Sequence, residues 1–382
     1  MRGYITKRSK GSYSLAISMG KDAISGKYKY QWITVKGTKK EADQKLAEIL
    51  HQKDTGTFIK PAKTTVSEYL QLWLADHKLH LSPRGYERYS DIVNQHLIPD
   101  FGNLPLDHLK PEHIQKHYTS CEKKGLSAGT ISYHHAVIHV ALKTAVKRGL
   151  LYRNPADAVD PPSTHHKEMK TWTEDQVNVF TEVAKGSRYY VLFYTALFSG
   201  MRRSELLGLK WEDVDLMFGQ IYVRRSLHHL KDGSYVFTEP KSAKSRRTIA
   251  LTPSNALLLK DHWEIQTLER SMAGILLSAK DLVFCDVEGK PLRPNSITRA
   301  WAVLAAKCGL PIIRLHDARH THASIMLKQG IHPKIVQERL GHASIEMTLD
   351  IYSHVTPGLQ EAAAKRFDDF MTPKSEVTTQ KN

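Results

Sequence analysis

The strongest constraint on how this chain folds is a proline-rich stretch, NPADAVDPPSTHHKEMK, at about residues 154–170. Pro155, Pro161 and Pro162 have no backbone N–H to donate and fix their own torsions, so neither a helix interior nor a central strand runs through them. The stretch reads as an interdomain linker, and a shorter one, PAKT, stands at 61–64. Around these breaks the hydrophobic period changes. In residues 1–60, SYSLAISM and YQWITV alternate apolar and polar side chains and predict strands. GTKKEADQKLAEILHQ follows as a helix, capped by Thr38, with Ala42, Leu46, Ile49 and Leu50 along one face. Residues 65–160 predict four helices, in TVSEYLQLWLADHK, SPRGYERYSDIVNQHLIPDFG, KPEHIQKHYTSCEKKG and SAGTISYHHAVIHVALKTAVKRG. Residues 171–371 are mixed. Helices TEDQVNVFTEVAK and SRYYVLFYTALFSG lead to two strands, QIYVRRSLHHL and SYVFTEPKSAKSRRTIALT, joined by a hairpin turn at KDGS, and helices then run on. Residues 372–382 read as a flexible tail. The expected fold class is multidomain α+β: a small N-terminal β-sheet with one helix, a helical bundle, and a mostly α C-terminal domain with a small β-sheet or hairpin.

Charge narrows the partners. Lys plus Arg number 55 against 39 acids, a balance of +16, and residues 1–40 carry ten Lys/Arg against Asp22 alone. Such a surplus favours a polyanion, most simply nucleic acid. No apolar run approaches the roughly 18 residues of a membrane helix. MRGYITKRSKGSYS is basic but has no apolar core, so no secretory signal is expected. Cys121, Cys285 and Cys308 are far apart and form no CxxC pair, so neither a disulfide framework nor a zinc knuckle is indicated and a reducing cytoplasm is expected.

Four segments hold residues suited to chemistry. In SGMRRSELLGLKWEDVD (199–215), burial of Leu206, Leu207 and Leu209 would hold a neighbouring arginine still, so that its fork meets a phosphate. A helix pair with Glu205 is the competing use. In PKSAKSRRTIALT (240–252), lysines on a hairpin reach a groove, either as DNA contacts or to deliver a proton. In LHDARHTHASIMLKQG (315–330), His316 and Arg319 are three apart and share a helix face, an imidazole beside a cation. The rival there is a metal on His316 and His320, four apart, but no third ligand of clear spacing follows. In ERLGHASIEMTLDIYSHV (338–355), His342 precedes Tyr352 by ten residues. Taken alone, Tyr352 reads as a packing residue, because a phenol of pKa about 10 needs a base or strong positive charge to act as a nucleophile. Together the four segments fit one reaction. Arginines bind a phosphodiester, a histidine moves a proton, a lysine protonates the leaving oxygen and a tyrosine attacks phosphorus. Fixed positive charge then does the work of a divalent metal, and the chain has no GxxxxGK[ST] loop for ATP.

SGMRRSE, PKSAKSRRTIAL, LHDARHTHAS, LGHAS and IYSHV, in that order, resemble the tyrosine recombinases, and within them the integrases of phages and integrative elements. The resemblance spans the whole chain. It implies that Arg202 and Arg319 are the catalytic arginines, His316 and His342 the two histidine positions, and Tyr352 the nucleophile that forms a 3′-phosphotyrosyl link. Lys241 would be the general acid, with Lys244 three residues on as its rival. It further implies an arm-type DNA-binding domain at 1–60, a SAM-like core-binding domain at 65–160, a catalytic domain at 171–371, and no cofactor or metal. The implied partners are double-stranded DNA at attachment sites, three further copies in a homotetramer, and an excisionase or host DNA-bending factor. The final helix, GLQEAAAKRFDDF, would pack on a neighbouring subunit or on its own domain. Other readings are a chromosome or plasmid resolving recombinase, a type IB topoisomerase-like nickase and a non-catalytic DNA-binding protein.

Overall fold

The computed structural model describes residues 3–21, 26–54, 64–164, 169–239, 246–342 and 344–355, and single positions at 364, 365, 367, 368 and 371. Lys241, Lys244, the tail at 372–382 and most of GLQEAAAKRFDDF lie outside the described residues, as does the side chain of Tyr352. The chain divides into two compact units, Met1–His165 and His166–Asn382.

The first unit holds two separate cores. Three antiparallel strands, β1 (Gly3–Ser9), β2 (Ser12–Lys21) and β3 (Tyr28–Lys36), form a meander with β2 in the centre. Two of these strands were legible in the sequence. The third, β1, is short of apolar residues because it presents only Ile5 to the core. Leu15 and Ile17 of β2 pack with Ala42 and Ile49 of α1 (Lys39–Asp54), joined by Ile5, Ile33 and Val35. Thr38 caps this helix as expected: its hydroxyl accepts from the Glu41 N–H at 3.3 Å and its own N–H donates to the Glu41 carboxylate at 2.7 Å. Among the described residues no helix is seen to pack on the other face of the sheet. Register sets Tyr4 against Ala16 and Ala16 against Trp32. Tyr4 packs edge-on against Trp32 and Tyr30, and all three rings remain exposed.

The second core is a helical bundle of α2 (Val66–His77), α3 (Pro83–Ile92), α4 (Ile98–Phe101), α5 (Pro111–Lys123) and α6 (Ala128–Lys147). Caps set its boundaries. Thr65 forms a capping box with Glu68, Ser82 precedes Pro83 at the first turn of α3, and Ser127 caps α6. Between α3 and α4 the helix loosens into a π-helical turn, Val93–Leu97.

In the second unit, α7 (Glu174–Ala184) and α8 (Tyr190–Ser199) begin where the sequence places them, α7 with a Thr173 capping box. A five-residue helix, α9 (Arg203–Leu207), follows. The two long strands predicted next are each broken. β5 (Gln220–Val223) pairs with β4 (Val214–Asp215) and β8 (Arg247–Ala250), whereas β6 (Ser226–His229) pairs only with β7 (Tyr235–Thr238). The first break falls at Arg224–Arg225. There Arg225 leaves the ladder to donate to Asp213 at 2.6 Å and Glu212 at 2.8 Å. The KDGS turn is present, closed by a bond from the Leu230 N–H to the Ser234 carbonyl, with Gly233 at φ 85°. Helices α10 (Pro253–Met272), α11 (Pro294–Lys307), α12 (Asp317–Lys328), α13 (Pro333–Leu340) and α14 (Glu346–Val355) complete the unit.

An aromatic core fixes the segment that enters α12. Trp301 stacks on Trp172 at 5.0 Å between centroids and meets Phe180 at 4.4 Å and Phe193 at 5.3 Å. The Trp172 and Trp301 indoles donate to the carbonyls of Pro311 and Ile313, and the Trp172 backbone N–H donates to the hydroxyl of Thr321 on α12. Packing therefore decides where His316 and Arg319 stand. Trp301→Ala should destabilise the chain by about 3–5 kcal/mol, read as a lower denaturant midpoint at unchanged slope; a loss under about 1 kcal/mol would contradict this role for the aromatic core.

Candidate active site

The site is built on one carboxylate. Glu205 of α9 is buried. It accepts from Arg202 through Nη1 at 2.7 Å and from the Arg202 backbone N–H at 2.9 Å. It also accepts both terminal nitrogens of Arg247, at 2.8 and 3.1 Å. Burial pushes the Glu205 carboxyl up, but the hydrogen bonds and charges of Arg247 and Arg202 outweigh it and hold the group below the usual carboxylate range. The pair of Arg202 with Glu205, which the sequence offers as an alternative to phosphate binding, is thus present. It supports the arginine without exhausting its donors.

Two left-handed glycines supply the remaining anchors. Gly200 (φ 67°) ends α8, and its carbonyl accepts Arg319 Nη1 at 2.9 Å. A Cβ there would lie 2.5 Å from Leu340 Cδ2 and 2.8 Å from His322 Cδ2, so the position takes no side chain. Gly341 (φ 67°) ends α13, and its carbonyl accepts Arg202 Nη2 at 3.0 Å. Arg247 Nε donates to the Arg339 carbonyl at 2.7 Å. Arg339 in turn donates to His322 Nε2 at 3.0 Å and to the carbonyls of Ala250 and Phe198. Backbone carbonyls from two helix ends and a strand thus fix the guanidinium groups.

Charge is left over. Arg202, Arg247 and Arg319 surround a single carboxylate, and Nη2 of the buried Arg319 has no hydrogen-bond partner among the described residues. Burial, with Arg202 and Arg247 nearby, lowers Arg319 to about 9, so it stays charged at neutral pH. A buried donor without a partner and an uncompensated positive field both call for an anion. The histidines feel the same field. His316, at the N-terminus of α12, is lowered to about 4 by burial, His320 and Arg319. His342 is lowered to about 3 by burial, Arg319 and Arg202. Both are neutral at pH 7. His342 Nδ1 meets Thr348 Oγ1 at 2.8 Å, and position 352 lies one turn further along the same helix, α14. Arg202 and His316 line a hollow of about 400 Å³ with His228, Thr298 and Arg314. Arg247 and His342 line another, of about 310 Å³, with Lys334 and Gln337.

Of the residues named from sequence, the structure brings Arg202, Arg319, His316 and His342 into one electrostatic neighbourhood, with the backbone of Tyr352 on the adjoining helix. His316 and His320 stack edge to face at 5.4 Å, and among the described residues no third metal ligand joins them. Arg247 was missed. Its signal is period two: it stands two residues before the core residue Ile249 on β8, so both side chains face inward. Replacing Glu205 tests the arrangement. Its folded pKa is depressed, so its contribution is fully present above the unfolded value of about 4.3 and is lost as pH falls through the folded value. Glu205→Gln should cost about 3–5 kcal/mol at pH 7 and flatten the loss of stability on acidification in pH-dependent denaturation; wild-type stability in the variant would contradict the pairing.

The chain is similar to known proteins in both sequence and fold. Residues 170–358 match the Phage integrase family, and residues 65–120 match the phage integrase N-terminal SAM-like domain. The ICEBs1 integrase of Bacillus subtilis (strain 168) is 28% identical over 96% of this chain and 100% of its own length. A XerC-like tyrosine recombinase of Caldanaerobacter subterraneus subsp. tengcongensis is 27% identical over 95% of this chain and 97% of its own. In fold, the chain is similar to the Tn1549 transposon integrase in complex with a circular intermediate DNA, with a TM-score of 0.68 at 23% identity over 80% of this chain and 100% of that one. It is also similar to a lambda integrase bound as a dimer to a core site, with a TM-score of 0.57 at 16% identity over 98% and 97%.

Proposed function

The chain belongs to the phage integrase family and is a site-specific tyrosine recombinase, and we propose that Arg202, Lys241, His316, Arg319, His342 and Tyr352 carry its reaction. The observation that carries this reading is the surplus of guanidinium charge around Glu205, with Arg319 Nη2 unpartnered among the described residues. A phosphodiester brings one negative charge and two non-bridging oxygens, which suit Arg202 and Arg319. The Tyr352 phenol oxygen attacks phosphorus and loses its proton as the bond to the 5′ oxygen breaks. That oxygen leaves with a proton, for which Lys241, with Lys244 as its rival, is the proposed donor. His316 and His342, neutral beforehand, handle protons and stabilise the charge that grows on phosphorus. The phosphotyrosine keeps the bond energy. The 5′ hydroxyl of a second strand then attacks it, releases Tyr352 and rejoins the DNA without ATP.

Around this chemistry we propose the division into an arm-binding domain (1–60), a core-binding domain (65–160) and a catalytic domain (171–371). The open sheet face with Tyr4, Tyr30 and Trp32, among the basic residues of the first strands, supports the first of these. DNA is the partner, as in the related complexes, and the working form is a multimer. A homotetramer on paired attachment sites is the proposed form, since a lambda integrase tetramer is known on a Holliday junction. An excisionase or host DNA-bending factor would set direction. Among the described residues no helix is long and apolar enough to cross a membrane.

Incubating the chain with labelled DNA spanning its element's ends, without magnesium, tests the reading on a denaturing gel. Wild type should give a protein–DNA adduct and Tyr352→Phe none. An adduct in the variant would assign the nucleophile elsewhere, and tight binding with no adduct from either protein would favour a non-catalytic DNA-binding protein.

A further inference from the structure

The helical bundle of the first unit contains a second cluster, which no step of strand exchange uses. His117 and Cys121, one turn apart on α5, and His134 on α6 are all buried. His117 Nε2 lies 3.2 Å from His134 Nδ1, and Cys121 Sγ lies 3.6 Å and 3.8 Å from those two nitrogens. Three ligand atoms at the corners of a zinc tetrahedron, with bonds of about 2.0–2.1 Å to nitrogen and about 2.3 Å to sulfur, stand about 3.3–3.6 Å apart. The observed edges of 3.2, 3.6 and 3.8 Å lie close to these. The orientation of His117 agrees. Its Nδ1 faces Asp100 Oδ2 of α4 at 2.5 Å, which turns Nε2, free to accept, toward the other two ligands. A carboxylate behind a histidine is the usual support of a metal-bound imidazole.

From this geometry we propose that His117, Cys121 and His134 bind a structural zinc ion, or another borderline divalent transition metal, inside the bundle. Thiolate with imidazole selects such ions over magnesium or calcium. On binding, the Cys121 thiol gives its proton to solvent and a metal–sulfur bond forms. The thiolate and the Asp100 carboxylate then balance the dication, so the buried site is neutral. The fourth position falls to water, or to His96 once its ring turns, since among the described residues only the first three place ligand atoms together. His96 sits on the π-helical turn, with its ring centroid 4.6 Å from that of His134. Turns of this kind are frequent at functional sites. The ion would tie α5 to α6 and, through Asp100, to α4. The sequence shows no zinc motif here because its ligands come from two helices and no CxxC is present.

The test uses the full-length, tag-free chain, stripped with chelator and titrated with Co²⁺ as a spectroscopic probe. One Co²⁺ per chain should bind, with an ultraviolet thiolate-to-metal band and the strong visible bands of four-coordinate cobalt, and Zn²⁺ should displace it. Both features should vanish in Cys121→Ser and persist in Cys285→Ser and Cys308→Ser. Asp100→Asn changes a group at the edge of the bundle and should fold even if Cys121→Ser does not; it should weaken Zn²⁺ binding about 10–100-fold. Absence of stoichiometric binding to the wild type, a thiolate band that survives in Cys121→Ser, or unchanged affinity in Asp100→Asn would overturn the proposal.

Discussion

Glu205 is the residue around which the arginines of the second unit are arranged. A carboxylate buried in protein is tolerable only when its charge is answered, and Arg202 and Arg247 answer it from two different elements. The consequence runs outward. Arg202 is fixed between Glu205 and Gly341 at the end of α13, and Arg247 ties β8 to the same helix end through the Arg339 carbonyl. Arg319 approaches from α12 held by the Gly200 carbonyl, and among the described residues no carboxylate pairs with it. The arrangement neutralises one of three positive charges and leaves the rest directed at whatever anion enters. In the proposed reaction, a site prepared in this way needs no reorganisation when charge develops on phosphorus.

Rigidity of the surroundings makes the arrangement specific. The Trp172–Trp301 stack pins the carbonyls of Pro311 and Ile313, and the chain then turns at His316 into α12. Gly200 and Gly341 allow helices to end so tightly that their carbonyls face guanidinium groups. Larger residues at either point would clash with Leu340 or crowd Arg247, so the glycines are part of the site even though they have no side chain to offer.

Much of this was legible in the sequence, and the parts that were not share a cause. Helix starts were readable because Thr38, Thr65, Ser82 and Thr173 are local signals that act on their own first turns. Arg202, His316, Arg319 and His342 were singled out by their order along the chain, and the fold brings them into one neighbourhood, while their roles rest on the proposal. The broken strands were not, because the break at Arg225 is set by Asp213 and Glu212, which lie outside the strand. Glu205 was visible only as a helix neighbour of Arg202. Its larger task, holding Arg247 from 42 residues away, needs the fold. The histidine–cysteine cluster is the same case: His117 and Cys121 sit in one helix, but His134 meets them only by packing.

A structure of the chain bound to DNA carrying its exchange site would be the most direct check on the arginine cluster, with Tyr352→Phe used to hold the uncleaved state. The scissile phosphate should place its non-bridging oxygens within hydrogen-bond distance of Arg319 Nη2 and Arg202, with Arg247 still on Glu205 and position 352 facing phosphorus. A phosphate seated instead in the wider hollow lined by Arg224, Arg225 and Arg246, with Arg319 Nη2 still unpartnered, would contradict the assignment of this cluster as the site of strand cleavage.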